Sequence, residues 1–245
     1  TESFLQIPIF SGGVFSNLKA KVITNTVNGA STLYLRKDTG GGAANGSSTV
    51  SITASTTGLY EDTTNSDSVN SGDKVNYQII TGGSSGDMSI YSTSISFAAT
   101  TNTAQILASS GANPGFASSA TETVYYYSIN GESITNETTE NNKEFTFKTG
   151  GTLRNGAWYV SANARTVTST MRSRVAGANG NMAIAVTATS TGLFQDTSNT
   201  DTIASGNTVN WACTSSPAET NGITGRFLSA EFITTDSTFQ LINGC

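Results

Sequence analysis

The sequence predicts an all-β protein: two tandem antiparallel β-sandwich domains, jelly-roll-like and related by an internal repeat. Three observations lead there. Thr, Ser, Asn and Gly alternate with Val, Ile, Phe and Tyr through most of the 245 residues, which is the composition of pleated strands and tight turns. No long window carries apolar residues at the three- and four-residue spacing of an amphipathic helix, so almost no helix is expected. A block from the first half of the chain recurs in the second, and its recurrence spans a whole domain.

The repeat is anchored by Thr57-Gly58-Leu59-Tyr60-Glu61-Asp62-Thr63-Thr64-Asn65-Ser66-Asp67. It returns as Thr191-Gly192-Leu193-Phe194-Gln195-Asp196-Thr197-Ser198-Asn199-Thr200-Asp201, an offset of 192 − 58 = 134. The match runs on through Ser71–Tyr77 against Ser205–Trp211. Upstream, Leu33–Lys37 aligns with Met171–Val175 at 171 − 33 = 138, so the first copy holds four extra residues in the glycine run Asp38–Ala44. Both copies then reach an Asn-Gly pair, Asn45-Gly46 and Asn179-Gly180, the dipeptide best suited to a tight hairpin turn. Downstream, Thr103–Leu107 aligns with Thr238–Ile242.

In chain order, strands are expected at Leu18–Thr24, Thr32–Lys37, Thr49–Ala54, Lys74–Thr81, Met88–Ala98 and Thr103–Ala108. The second copy offers Ala157–Asn163, Thr170–Val175, Met182–Ala188, Thr208–Thr214, Arg226–Thr234 and Thr238–Ile242. Runs such as Val50-Ser51-Ile52-Thr53 and Ile184-Ala185-Val186-Thr187 alternate, burying one face and wetting the other. The first domain is therefore 1–108, a Ser-, Gly- and Ala-rich linker with Pro114 occupies 109–123, and the second domain is 124–245.

Charge and composition exclude several functions. The net charge is −5, the pI is near 4.7, and the 12 basic residues are scattered, whereas nucleic acid binding needs clustered Lys and Arg. No apolar run approaches the roughly 20 residues of a membrane-spanning helix. The sequence begins at Thr1 without an initiator Met, so a removed leader or a trimmed start is expected. Histidine is absent, which removes Ser-His-Asp and Cys-His catalysis and imidazole metal sites. Two cysteines, Cys213 and Cys245, are disulfide candidates in an oxidising compartment; the alternative is a buried inert thiol at Cys213 and a free one at Cys245.

The combined signature of Leu35-Arg36-Lys37, Ala44-Asn45-Gly46, the Thr57–Asp67 block and Gly72-Asp73-Lys74-Val75-Asn76-Tyr77 resembles uncharacterised tandem β-sandwich repeats of phage structural (virion) proteins and bacterial surface proteins. The resemblance covers nearly the whole chain and contains no catalytic residue. It implies an architectural role in a virion or at a cell surface.

Several residue groups are candidate sites. Asp62, Asn65 and Asp67, with their counterparts Asp196, Asn199 and Asp201, offer hard oxygen ligands for Ca²⁺, the only cofactor the sequence suggests. Alternatively, these side chains bond their own backbone as Asx turns. Carboxylates for glycoside hydrolysis are present (Glu61, Asp62, Glu122, Glu132, Glu137, Glu140, Glu144 and Glu231) but fall in loops and at strand ends where solvated acids are ordinary. No enzyme activity is expected. Tyr125-Tyr126-Tyr127 and Trp158-Tyr159 suggest a sugar-stacking surface, although strand alternation sends neighbouring rings to opposite faces; one ring in the core and two outside is expected.

A final asymmetry bears on assembly. Thr1–Ile9 aligns with Thr121–Ile129 at 121 − 1 = 120, yet Gly13–Asn17 aligns with Gly151–Asn155 at 151 − 13 = 138. The second copy thus gains residues within Glu132–Thr149, including the strand candidate Lys143–Lys148. The first domain should lack a strand or use its N-terminal strand differently, and an open sheet edge recruits strands from other chains. Phe4, Leu5, Ile7, Ile9 and Phe10 are the expected assembly strand. The functional expectation is a self-assembling structural protein of a virion or extracellular filament, its partners copies of itself or other structural subunits. A carbohydrate-binding or adhesive module with glycan partners is the alternative.

Overall fold

The computed structural model describes Glu2 and residues 5–101, 103–110, 122–129, 137–215 and 221–236. Every paired strand among them is antiparallel, and no α-helix occurs among the described residues. The chain divides into two compact units, mainly Gln6–Asn102 and Thr103–Asn243.

The N-terminal unit comprises β1 (Ile7–Pro8), β2 (Gly13–Asn25), β3 (Ser31–Asp38), β4 (Ala43–Ile52), β5 (Gly58–Val69), β6 (Lys74–Ile80) and β7 (Met88–Ala99). They form two sheets, ordered β1-β6-β3-β4 and β5-β2-β7. Alternation builds its core: Leu33 on β3, Val50 and Ile52 on β4, and Leu18, Ala20 and Val22 on β2 are all buried in one cluster. Both sheets contribute, which is how two one-faced surfaces leave water together.

The C-terminal unit comprises β8 (Ala104–Ser110), β9 (Thr123–Ser128), β10 (Phe145–Thr146), β11 (Gly151–Asn163), β12 (Ser169–Val175), β13 (Ala178–Val186), β14 (Gly192–Ile203), β15 (Thr208–Ser215) and β16 (Ile223–Thr234). One sheet runs β10-β15-β12-β13, with β9 also paired to β15; the other runs β14-β11-β16-β8. Its core is larger and includes Trp158, Trp211, Tyr127, Phe147 and Phe232, all fully buried.

The two units share a register. Ile7 pairs with Val75 as Phe145 pairs with Val209, so β1 occupies in its sheet the place of β10. The relevant offset is 145 − 7 = 138, which replaces the expected 120. The strands of the C-terminal unit without a counterpart among the described residues of the N-terminal unit are therefore β8 and β9, not Lys143–Lys148, where only Phe145–Thr146 is extended. The N-terminal strand is used inside its own unit.

Other expectations change as well. Ala104–Ser110 belongs to the C-terminal unit, because seven of its residues pair with β16; the division falls near residue 102 rather than after Ala108. Ser109 and Ser110 are strand, and the rest of the expected linker up to 121 lies outside the described residues. The repeat signature, expected as an acidic loop, is strand in both units (β5 and β14). Its inward positions carry aspartates where a period-two reading looks for apolar residues. The Asn-Gly pairs sit inside β4 and β13 rather than in turns. The β12–β13 turn is Ala176-Gly177 instead, with φ of 48° and 75°, the positive values of a two-residue hairpin. The matching first-unit tip is longer, as the glycine run requires; there the Asp38 carboxylate accepts the N–H groups of Gly40 and Gly42.

Candidate functional site

The duplicated aspartates are built into the seam between the sheets. Asp62 Oδ2 accepts the Thr49 N–H at 2.8 Å, while Oδ1 accepts the N–H groups of Thr64 and Asn65 at 3.1 and 3.0 Å. Asp67 accepts Ser47 and Ser48 N–H, both at 2.8 Å, and its Oδ1 lies 3.1 Å from Lys37 Nζ. Asp196 repeats the first pattern with Ala183, Ser198 and Asn199. Asp201 repeats the second with Asn181, Met182 and the Ser173 hydroxyl. Each carboxylate thus reaches from β5 or β14 to the backbone donors on the outer edge of β4 or β13. The N–H groups of Ser47, Ser48 and Thr49, and of Asn181, Met182 and Ala183, are thus satisfied without another strand.

This geometry explains the Asn-Gly motif. A Cβ on Gly46 would sit 2.6 Å from the Asp67 carboxylate, and one on Gly180 would meet Asp201 at 2.7 Å. Glycine is required for the close approach of the acid, not for a turn. The adjoining asparagines serve the sheet: Asn45 and Asn179 each accept from an arginine of the neighbouring strand, Arg36 and Arg174.

Burial alone would raise the pKa of Asp62, but the donated N–H groups of Thr49, Asn65 and Thr64 outweigh it and hold the acid well below the usual carboxylate range. Burial likewise raises Asp196, and Ala183, Asn199 and Ser198 bring it down to about 2. Asp67 is lowered in the same way by Ser48 and Ser47 after its burial is overcome. The oxygens expected to ligate Ca²⁺ are instead enclosed by positive N–H dipole ends, and Asn65 and Asn199 turn their amide nitrogens toward the acids. The backbone-bonding alternative describes Asp62 and Asp196; the reach to β4 and β13 was not expected.

Five of the other candidate carboxylates each have a separate local partner, and Glu122 is exposed. Glu61 meets Lys19 at 2.8 Å, Glu140 meets Arg174 at 2.8 Å, and the buried Glu231 meets Arg154 at 2.7 Å and Asn155 at 2.9 Å. Glu137 accepts from Thr139 and Asn142, and Glu144 from Thr208. Glu132 lies outside the described residues. Cys213 is a free, buried thiol on β15, its pKa pushed up to about 12 by burial; Cys245 lies outside the described residues.

Of the tyrosines on β9, Tyr127 is fully buried, Tyr125 packs against the same core, and Tyr126 faces outward. Two rings in and one out is what positions i, i+1 and i+2 of a strand dictate, reversing the expected proportion. Tyr126 lies against the Arg174 guanidinium, 5.9 Å from ring centre to Cζ. With Thr170, Arg172, Asn179 and Thr214 it lines an outer groove of about 370 Å³. Trp158 is core, while Tyr159 stacks at a tilt on Phe227, 6.0 Å away.

Of the expected assembly strand, Ile7 pairs with β6, and Ile9 is buried and exchanges backbone bonds with Gly72 and Asp73. They are therefore spent within the unit rather than offered to a neighbour. Leu5 is exposed, Phe10 is half-buried, and Phe4 lies outside the described residues.

The more open edge is at β7. Among the described residues it has one neighbouring strand, β2, whereas its counterpart β16 is flanked by β11 and β8. No residue of β7 is buried, and Tyr91 is 64% exposed; in β16 the run from Phe227 to Phe232 is buried throughout. The sequence conceals this edge because Thr103–Leu107 matches Thr238–Ile242 and so resembles the closing strand of the first domain, whereas it pairs with β16.

No protein-family model matches the chain, and no curated protein sequence does. One solved structure, described as "Structure of PNGF-II in C2 space group", is similar at a TM-score of 0.25 and 9% identity. The similarity covers 97% of this chain and 60% of that one; likeness at this level carries no argument about fold or activity.

Proposed function

We propose that this chain is a non-enzymatic structural subunit made of two tandem, jelly-roll-like β-sandwich repeats. It assembles with copies of itself or with other structural subunits, in a virion or an extracellular filament. The observation that carries this reading is the β7 edge, which alternates half-buried Ile90, Ile95 and Phe97 with exposed polar positions. An edge of that kind is a template for another strand. Light scattering and negative-stain microscopy of the purified chain test it: discrete oligomers or filaments are expected, and a monomer at all concentrations overturns it.

A second reading is favoured by the outer groove. An aromatic face at Tyr126 beside the donors of Arg172 and the hydroxyls of Thr170 and Thr214 suits a glycan, whose rings stack while their hydroxyls hydrogen-bond. A glycan array decides it: binding lost in Tyr126→Ala supports the groove, and binding unaffected by that change removes it.

A further inference from the structure

Sheet register gives the outer groove of the C-terminal unit a floor, two walls and an unbalanced charge. Thr170, Arg172 and Arg174 of β12 point outward, since Met171 and Ser173 between them are buried. Arg172 pairs with Ala212 on β15, and Ala212 pairs in turn with Tyr126 on β9. The three side chains therefore stand in one row across three strands. Ala212 is the short member, so the row dips between the guanidinium and the ring, whose backbones lie about 10 Å apart at two strand spacings.

The architecture of the unit accounts for only one of the two arginines. Arg174 donates through Nε and Nη2 to the two oxygens of Glu140, both at 2.8 Å, and through Nη1 to Asn179 at 2.7 Å. It also lies against the Tyr126 ring, which is thus braced by a pinned cation. The N-terminal unit repeats this arginine, where Arg36 donates to Asn45. It does not repeat Arg172: Tyr34 stands there, paired with Gln78 in place of Ala212. Arg172 donates from Nη1 to the Gly180 carbonyl at 3.2 Å, a neutral partner. Among the described residues no carboxylate pairs with it and none lines the groove. A guanidinium carries five N–H donors, so most of those on Arg172 remain for a ligand.

We infer that this groove binds an acidic glycan, with Arg172 holding the carboxylate or sulfate of the sugar and Tyr126 stacking on its ring above Ala212. The inference rests on the glycan reading above and adds the charge of the ligand. Parallel N–H groups of a guanidinium match the paired oxygens of either anion, and the hydroxyls of Thr170 and Thr214 suit those of the sugar. The volume of about 370 Å³ falls within the roughly 300–1,000 Å³ of small-ligand sites. The net charge of −5 acts over distances that salt screens, whereas the contact at Arg172 is direct.

The test is binding of the full chain to an array of uronic and sialic acid glycans, sulfated glycans and their neutral parents, followed by titration with the strongest binder. Acidic members should be preferred to their neutral parents, and the class preferred tells carboxylate from sulfate. Arg172→Gln should weaken that binding about 10- to 100-fold, as the loss of a charged hydrogen-bonding partner. Arg172→Lys should weaken it less, and both variants should keep the native Tm. Ala212→Gln, which copies the N-terminal row, should fill the floor and abolish binding with the arginine intact. Acidic and neutral members bound alike, with binding lost in Tyr126→Ala but kept in Arg172→Gln, overturn the charge assignment and leave the glycan reading standing. Acidic binding that survives both Arg172→Gln and Tyr126→Ala lies elsewhere and overturns both for this groove. An array with no bound member overturns the glycan reading and this inference with it.

Discussion

The two units differ most at one end of a common plan. In the C-terminal unit β9 lies along β15 beside Trp211 and Cys213, both buried. In the N-terminal unit no strand among the described residues runs beside the corresponding stretch of β6, and the matching inward positions open from buried Val75 to Tyr77 and Ile79, 38% and 39% exposed. The second sheet repeats the lesson, with β16 covered by β8 and β7 open. Where the flanking strand β9 is present, β15 carries the fully buried Trp211. Where no strand among the described residues takes that place, Tyr77 stands at the matching position, 38% exposed. Core size follows strand coverage, since a ring is buried only if something lies over it.

The largest expected break of this contrast is Trp211→Ala. Removing a fully buried indole from a close-packed core should destabilise the C-terminal unit by about 3–5 kcal/mol, read by denaturant unfolding. Tyr77→Ala, at an exposed ring, should cost about 1 kcal/mol or less. Equal losses at the two sites would mean that coverage does not set the core energetics.

The aspartate clasps should instead behave alike in both units. Asp62→Ala and Asp196→Ala each strand several N–H groups, costing about 1–3 kcal/mol. Both acids have folded pKa values depressed below the ordinary 3.8. Their stabilisation is therefore present above the unfolded pKa and is lost as pH falls through the folded value. Stability should decline from about pH 5 toward pH 2, and Asp196→Asn should flatten that decline. A native protein as stable at pH 2 as at pH 6 would be inconsistent with the clasps. The smallest effect is at the Lys19–Glu61 pair on the surface of β2 and β5. Lys19→Ala should change stability by no more than about 0.5 kcal/mol, and less in high salt.

The clasps also show where reading the sequence succeeds and where it stops. Alternation located β3, β6, β7 and β12 almost to the residue, because each buries one face locally. It passed over β5 and β14, whose inward residues include Asp62, Asp67, Asp196 and Asp201; an acid facing inward is intelligible only once the N–H groups it satisfies are in view. Asn45-Gly46 resembles a turn in the sequence for the same reason. The glycine answers to Asp67, twenty residues on and in another strand. The β7 edge is half legible, since the repeat of Thr103–Leu107 at Thr238–Ile242 is plain in the sequence but the pairing of Ala104–Ser110 with β16 is not.

By itself the sequence determined that the chain is all-β and antiparallel, that these 245 residues hold no histidine, and that four extra residues lengthen one hairpin tip. Composition, period and repeat offset are local properties, and burial of one strand face imprints them directly on neighbouring residues. Only the tertiary structure decided that β1 fills the place of β10, that the paired aspartates cap strand edges, and that β8 completes the sheet of β16. Strand partnership is fixed by backbone hydrogen bonds between residues more than a hundred positions apart, as between Ala104 and Ile233. Every backbone offers the same donors and acceptors, so the side-chain pattern shows which strands need a partner without naming it.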